Sequence, residues 1–194
     1  MNVRLYLAAG VGVLLVGLLA WDLTRGEAPL EEVPPAAPRV VVEPSEPPPG
    51  VPRITATLFY SSADGEALVP VRREVALAEG MVPQAREILA AQLLGAPEPY
   101  ASVIPEGTAL RAFYATERGD AFVDLSPEVS TRHSGGSFSE LLTVYAIVNA
   151  VTANLPSVQR VQILIDGREV DTLAGHVDLR RPLEKDSSLV REER

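Results

Sequence analysis

The stretch Ser134–Pro182, SGGSFSELLTVYAIVNAVTANLPSVQRVQILIDGREVDTLAGHVDLRRP, decides the fold. Ser137 with Glu140 three residues on predicts an N-cap and the N3 partner of a capping box. Leu141, Val144, Tyr145, Val148, Val151, Thr152 and Leu155 then recur every three or four residues, the apolar stripe of an amphipathic helix. Such a helix would be a rod of roughly 27 Å, about the width of a small domain. Pro156 cannot continue it, so the chain turns there. Val161, Ile163 and Ile165 alternate with Arg160, Gln162 and Leu164, which predicts a strand with a buried face. Asp166-Gly167 is a strong hairpin signal.

Upstream, Ile54–Tyr60 has strand composition and is followed by the turn residues Ser61–Gly65. Leu68–Leu77 predicts a second extended segment, with Pro70 placing it at an edge or a bulge. Pro83 suits the first residue of a helix whose core stripe is Ala85, Ile88, Leu89 and Leu93, ending at Gly95. A loop with Pro97, Pro105 and Gly107 leads to strands at 109–115 and 121–125 around the turn Glu117–Asp120. A polar, glycine-containing loop then leads into the long helix. This order predicts an α+β domain over residues 54–182: a mixed or antiparallel sheet with two helices packed on one face. Residues 183–194, LEKDSSLVREER, predict a charged, frayed tail.

The chain begins differently. Leu5–Trp21 carries no charge and is followed by Asp22, Glu27, Glu31 and Glu32, which predicts an uncleaved, single-pass signal anchor after a cytoplasmic segment of residues 1–4. Residues 26–53 hold nine of the 17 prolines, so 22–53 read as an extracytoplasmic stalk in the polyproline II regime. The domain is then expected on the periplasmic or cell-wall side of a cell membrane. There is no cysteine, hence no disulfide, no thiolate metal site and no lipid-modified cysteine within these 194 residues. The formal net charge of −9 argues against a nucleic-acid partner. With two histidines far apart in sequence, no metal site is expected, and no cofactor motif is present.

Candidate chemistry is sparse. His133, Ser134 or Ser137, and Asp124 or Asp166 could supply a serine–histidine–acid set, but no G-x-S-x-G run surrounds either serine. Asp124, Glu140 and Asp166 could supply paired carboxylates, yet no spacing fixes two on one face. Gly135-Gly136 ahead of a helix could present N–H groups to an anion, but it is equally a flexible helix entry. Capping accounts for Ser137 and Glu140, loop solvation for His133, a turn for Asp166 and a strand end for Asp124. No catalytic residue is assigned.

Read in order, Leu93–Pro97, Ile104–Thr108, Ala121–Ser126, Gly136-Ser137 with Glu140, Ala146–Asn149, Val161–Gly167 and Gly175–Leu179 resemble successive blocks of the GerMN domain of sporulation and spore-germination proteins. The resemblance implies an exported α+β domain, present in a single copy and related in form to ring-building modules of the spore envelope. It marks Gly95, Pro97, Pro105, Gly107, Asp124, Ser137, Glu140, Asn149, Asp166, Gly167 and Gly175 as structural positions. It supplies no catalytic residue. The function expected is a non-catalytic binding or assembly module for envelope proteins or peptidoglycan. The alternative is a peptidoglycan hydrolase or an accessory lobe of one. Strand edges at Ile54–Tyr60 or around Pro70 would suit an added chain.

Overall fold

The structure, a computed structural model, describes residues 50–191; the expected anchor and most of the expected stalk lie outside the described residues. The described elements are β1 (Arg53–Ser61), β2 (Leu68–Ala76), α1 (Met81–Leu93), β3 (Leu110–Ala115) and β4 (Asp120–Leu125), then α2 (Glu128–Thr131), α3 (Ser137–Asn154), β5 (Arg160–Ile165), β6 (Arg168–Glu169) and β7 (Leu183–Glu184). The α+β class holds. Among the described residues no helix is long and apolar enough to cross a membrane.

The strands form two sheets. β1 and β2 make an antiparallel hairpin from Arg53↔Ala76 to Ser61↔Leu68. The second sheet runs β3-β4-β5-β6, with β7 also paired to β5. Within it β3 and β4 are antiparallel around the Glu117–Gly119 turn, and β4 lies parallel to β5 from Asp120↔Arg160 to Leu125↔Ile165. A parallel neighbour requires a crossover, and α2 with α3 supplies it. Asp166 and Gly167 both have positive φ, 54° and 74°, as a two-residue turn between β5 and antiparallel β6 requires.

One core holds the domain together. Leu58 and Tyr60 of β1, Ile88 and Leu89 of α1, Val123 and Leu125 of β4, Ile147 and Val148 of α3, and Ile163 of β5 are all buried in it. The expected stripe on α3 is too narrow and in part misplaced: its Leu141, Tyr145 and Thr152 are only half-buried. Leu142, Ala146, Ile147 and Ala150 are buried as well, because α3 packs on β5 and on β1, and Phe59 of β1 joins Leu142, Ala146 and Ala150 in a second cluster. A helix covered on two sides reads as apolar nearly all round.

Side-chain amides close the strand edges. Gln92 of α1 donates to Phe59 O (2.7 Å) and accepts from Phe59 N–H (2.9 Å). Asn154 at the end of α3 does the same for Thr57, at 2.7 and 2.8 Å. Gln84 donates to Ala76 O and accepts from Ala78 N–H. A primary amide offers the same donor–acceptor pair as a peptide unit, so each stands in for a neighbouring strand. Ser61 completes the β1 edge by pairing with Ala101. The expected free edge at Ile54–Tyr60 is therefore occupied. Pro70 lies in the edge strand β2, as expected.

The tail from residue 183 to 191 is not frayed. β7 pairs with β5 at Arg160 and Val161. Asn149, fully buried on α3, donates to Asp186 O and accepts from Asp186 N–H. Val190 bridges in parallel to Leu68 and packs on the second cluster, while Arg191 pairs with Asp64 and Glu66. The charges suggest a solvated end, but the backbone of this segment supplies partners that buried groups of the domain need.

Candidate functional site

Two glycines with positive φ, Gly135 (83°) and Gly136 (91°), turn the chain into α3. Gly136 occupies the N-cap position and no side chain caps the helix. Ser137 is the first helical residue and exposed, so the expected capping box does not form. Glu140 does something else. Its side chain is fully buried, and it points into the loop 171–179. That loop is closed by the Thr172↔Asp178 bridge and by Leu179 N–H donating to Asp171 O. Inside it, the N–H groups of Ala174 (2.9 Å), His176 (2.9 Å) and Val177 (3.0 Å) all donate to the Glu140 carboxylate, and His176 Nδ1 lies 3.0 Å from it. Burial alone would push this carboxyl up; the converging backbone donors and the His176 ring outweigh it and hold the group below its ordinary value. Gly175, φ 110°, lets the loop wrap so tightly. Thus Glu140 and Gly175, far apart in sequence, form one device: an anionic peg through a loop.

The other marked positions have comparable roles. Asp124 is buried on β4; it accepts from Gly167 N–H (2.7 Å) and from Arg111 Nε (3.2 Å). Arg111 also pairs with Asp166 at 2.6 Å, so one guanidinium ties β3, β4 and the β5–β6 turn together. Gly95 follows α1 and its carbonyl accepts from Arg73. Pro97 O accepts from Tyr100 N–H, and Pro105 O accepts from the N–H and hydroxyl of Thr108. Gly107, φ 83°, lies beneath the Arg132 guanidinium: a Cβ there would come within 2.7 Å of Arg132 Nη1.

The candidate catalytic sets do not assemble. His133 Nδ1 accepts from Gly135 N–H (3.0 Å), which leaves the proton of the neutral ring on Nε2, 3.1 Å from Thr143 Oγ1. The Thr143 hydroxyl in turn reaches Val103 O and Ser139 O. His133 is therefore a loop anchor and not merely solvated; neither Ser134 nor Ser137 is its partner. Asp124 and Asp166 come together, but across a shared arginine, and Glu140 is saturated elsewhere. Among the described residues no group of three or more His, Asp or Glu could hold a metal ion.

Phe138, beside the glycine pair, is 45% exposed on the first turn of α3. It lines two hollows. The first, about 470 Å³, is bounded by Ser137, Leu141, Tyr145, His176 and Leu183. The second, about 490 Å³, is bounded by Val103, Ile104 and Leu142, with Glu106, Arg132 and Ser139 on it. Sequence patterning missed Phe138 because it looks like one more apolar residue of the helix.

Solved structures share this arrangement of elements. A Clostridium perfringens protein described as a lipoprotein superposes with a TM-score of 0.51 at 23% identity, over 70% of this chain and 89% of that one. The tandem GerMN domains of the sporulation protein GerM from Bacillus subtilis give 0.52 at 16% identity, over 70% of this chain and 46% of the tandem. The first GerMN domain of that protein gives 0.50 at 18%, over 69% and 96%. No curated protein sequence matches. The profile of the family described as "Germane: Sporulation and spore germination" matches residues 57–171, more than half of the chain, and the chain belongs to that family.

Proposed function

We propose that this protein is an envelope-associated binding or assembly module whose described domain has no catalytic centre. The likeness to GerM and to the clostridial lipoprotein supports the envelope setting. One observation carries the rest: Glu140, the most buried acid of the domain, is saturated by loop N–H groups. A general acid or base needs a lone pair or proton facing a cleft. Asp124 and Asn149 likewise complete backbone hydrogen bonds of other segments. What the domain presents outward is surface, on which Phe138 is one of several exposed large apolar side chains, Tyr114 and Leu77 among the others. An N-terminal membrane anchor and a proline-rich stalk would hold that surface at a distance from the bilayer.

The test is to incubate the purified full chain with peptidoglycan and analyse the soluble fraction. No muropeptides are expected. Reproducible release that disappears in His133→Ala or Asp166→Asn would overturn this reading and establish a hydrolase.

A further inference from the structure

Phe138 separates two hollows of nearly equal size, and an exposed ring shared by two similar hollows suits a ligand with a repeating unit. The flat C–H face of a pyranose packs on an aromatic ring, while its hydroxyl and amide groups need polar partners around the rim. Ser137, His176 and Asp178 supply that rim on the first hollow; Ser134, Ser139 and Glu106 supply it on the second.

Charge narrows the class. Arg132 lies on the second hollow, with Nη1 donating to Glu106 O at 3.2 Å and the guanidinium laid over Gly107. Arg53, Arg111, Arg160, Arg180 and Arg191 each pair with a carboxylate; Arg132 is one of several described arginines with none within 4 Å, and of these it is the one that lines a hollow. A guanidinium held in place without a counter-ion is a ready partner for a ligand carboxylate. A neutral sugar strand would leave it unused. We propose that the two hollows bind a carboxylate-bearing amino-sugar strand, the chemistry of peptidoglycan, with a sugar ring on Phe138 and a carboxylate on Arg132. This rests on the binding reading above and names its partner.

The test is co-sedimentation of the detergent-solubilised full chain with purified sacculi. Phe138→Ala and Arg132→Gln should each lower the bound fraction at least tenfold, with Arg132→Lys retaining part of it, and melting temperatures should be unchanged because both side chains are exposed. Soluble muropeptides should compete, and neutral chitin oligosaccharides should compete at least tenfold less well. Full sedimentation of both loss variants would overturn this site while leaving a binding module intact. Equal competition by the neutral oligosaccharide would overturn the role of Arg132. Absence of sedimentation by the unsubstituted chain would overturn the ligand, and the module would then have to be tested against proteins. Muropeptide release during the assay would overturn the non-catalytic reading instead.

Discussion

Replacing Glu140 by glutamine keeps the side chain's shape but turns one acceptor oxygen into a donor facing other donors. Leaving buried N–H groups unpaired costs about 1–3 kcal/mol each, so Glu140→Gln should cost roughly 2–4 kcal/mol in urea denaturation at pH 7. Ser137→Ala should change stability by less than about 0.5 kcal/mol, since that hydroxyl caps nothing. Equal effects would mean that the peg is not formed. The pH dependence follows in sign. The folded Glu140 carboxyl lies below its ordinary value, so its stabilisation is complete above the unfolded pKa of about 4.3 and is lost as pH falls through the lower folded value. Hydrogen exchange at Ala174, His176 and Val177 should therefore accelerate in acid, ahead of the core. None of this was legible in the sequence: Ser-x-x-Glu before an apolar run is the signature of a capping box, and the loop that captures Glu140 lies 34 to 37 residues away.

At the scale of elements, hairpins and helices follow from local signals, and their partners do not. The strand at 160–165, the Asp166-Gly167 turn and the stop ahead of Pro156 appear where local signals place them, but the alternation does not hold: Gln162 is buried between Val161 and Ile163, donating to Leu179 O, and Ile165 is only half-buried. What periodicity cannot show is that Gln92 and Asn154 act as substitute strands on β1, because an amide on a helix looks like solvated surface until its partner is known. Gln92→Leu keeps volume but strips partners from the buried Phe59 N–H and C=O, and should cost roughly 2–4 kcal/mol. The exposed Gln159→Leu should stay within about 0.5 kcal/mol. Thermal melts of the two variants check the contrast. Val148→Asp should be worse than either, because it puts a charge without a partner in the core where two layers meet α3. With β1 closed by amides, and the two ends of the β2 edge taken by the Leu189–Arg191 backbone at Leu68 and by Gln84 at Ala76, only the stretch from Pro70 to Glu74 could accept an added strand, and Pro70 there already lacks an N–H.

For the whole molecule, the boundaries of the folded unit matter most. Composition places the end of the domain at residue 182, because the charges that follow resemble a solvated tail. The structure carries the fold on to Arg191. Asn149 sits at 0% exposure and its amide is satisfied by the Asp186 backbone; Val190 packs on the second apolar cluster; Arg191 reaches back to the turn at Asp64. A chain of residues 50–194 should therefore fold alone as a cooperative unit. One ending at Pro182 would leave the Asn149 amide buried without partners and the second apolar cluster open to water. It should be less stable by roughly 3–5 kcal/mol, from the lost hydrogen bonds and the exposed apolar area together. It should also bind a dye specific for exposed apolar surface, as a loosened core does. Coincident urea transitions for the two lengths would show that the strap is ornamental. Asn149→Leu in the longer chain separates the causes: it removes the clamp without creating an unpaired amide, so the strap should detach in hydrogen exchange while the core stays protected.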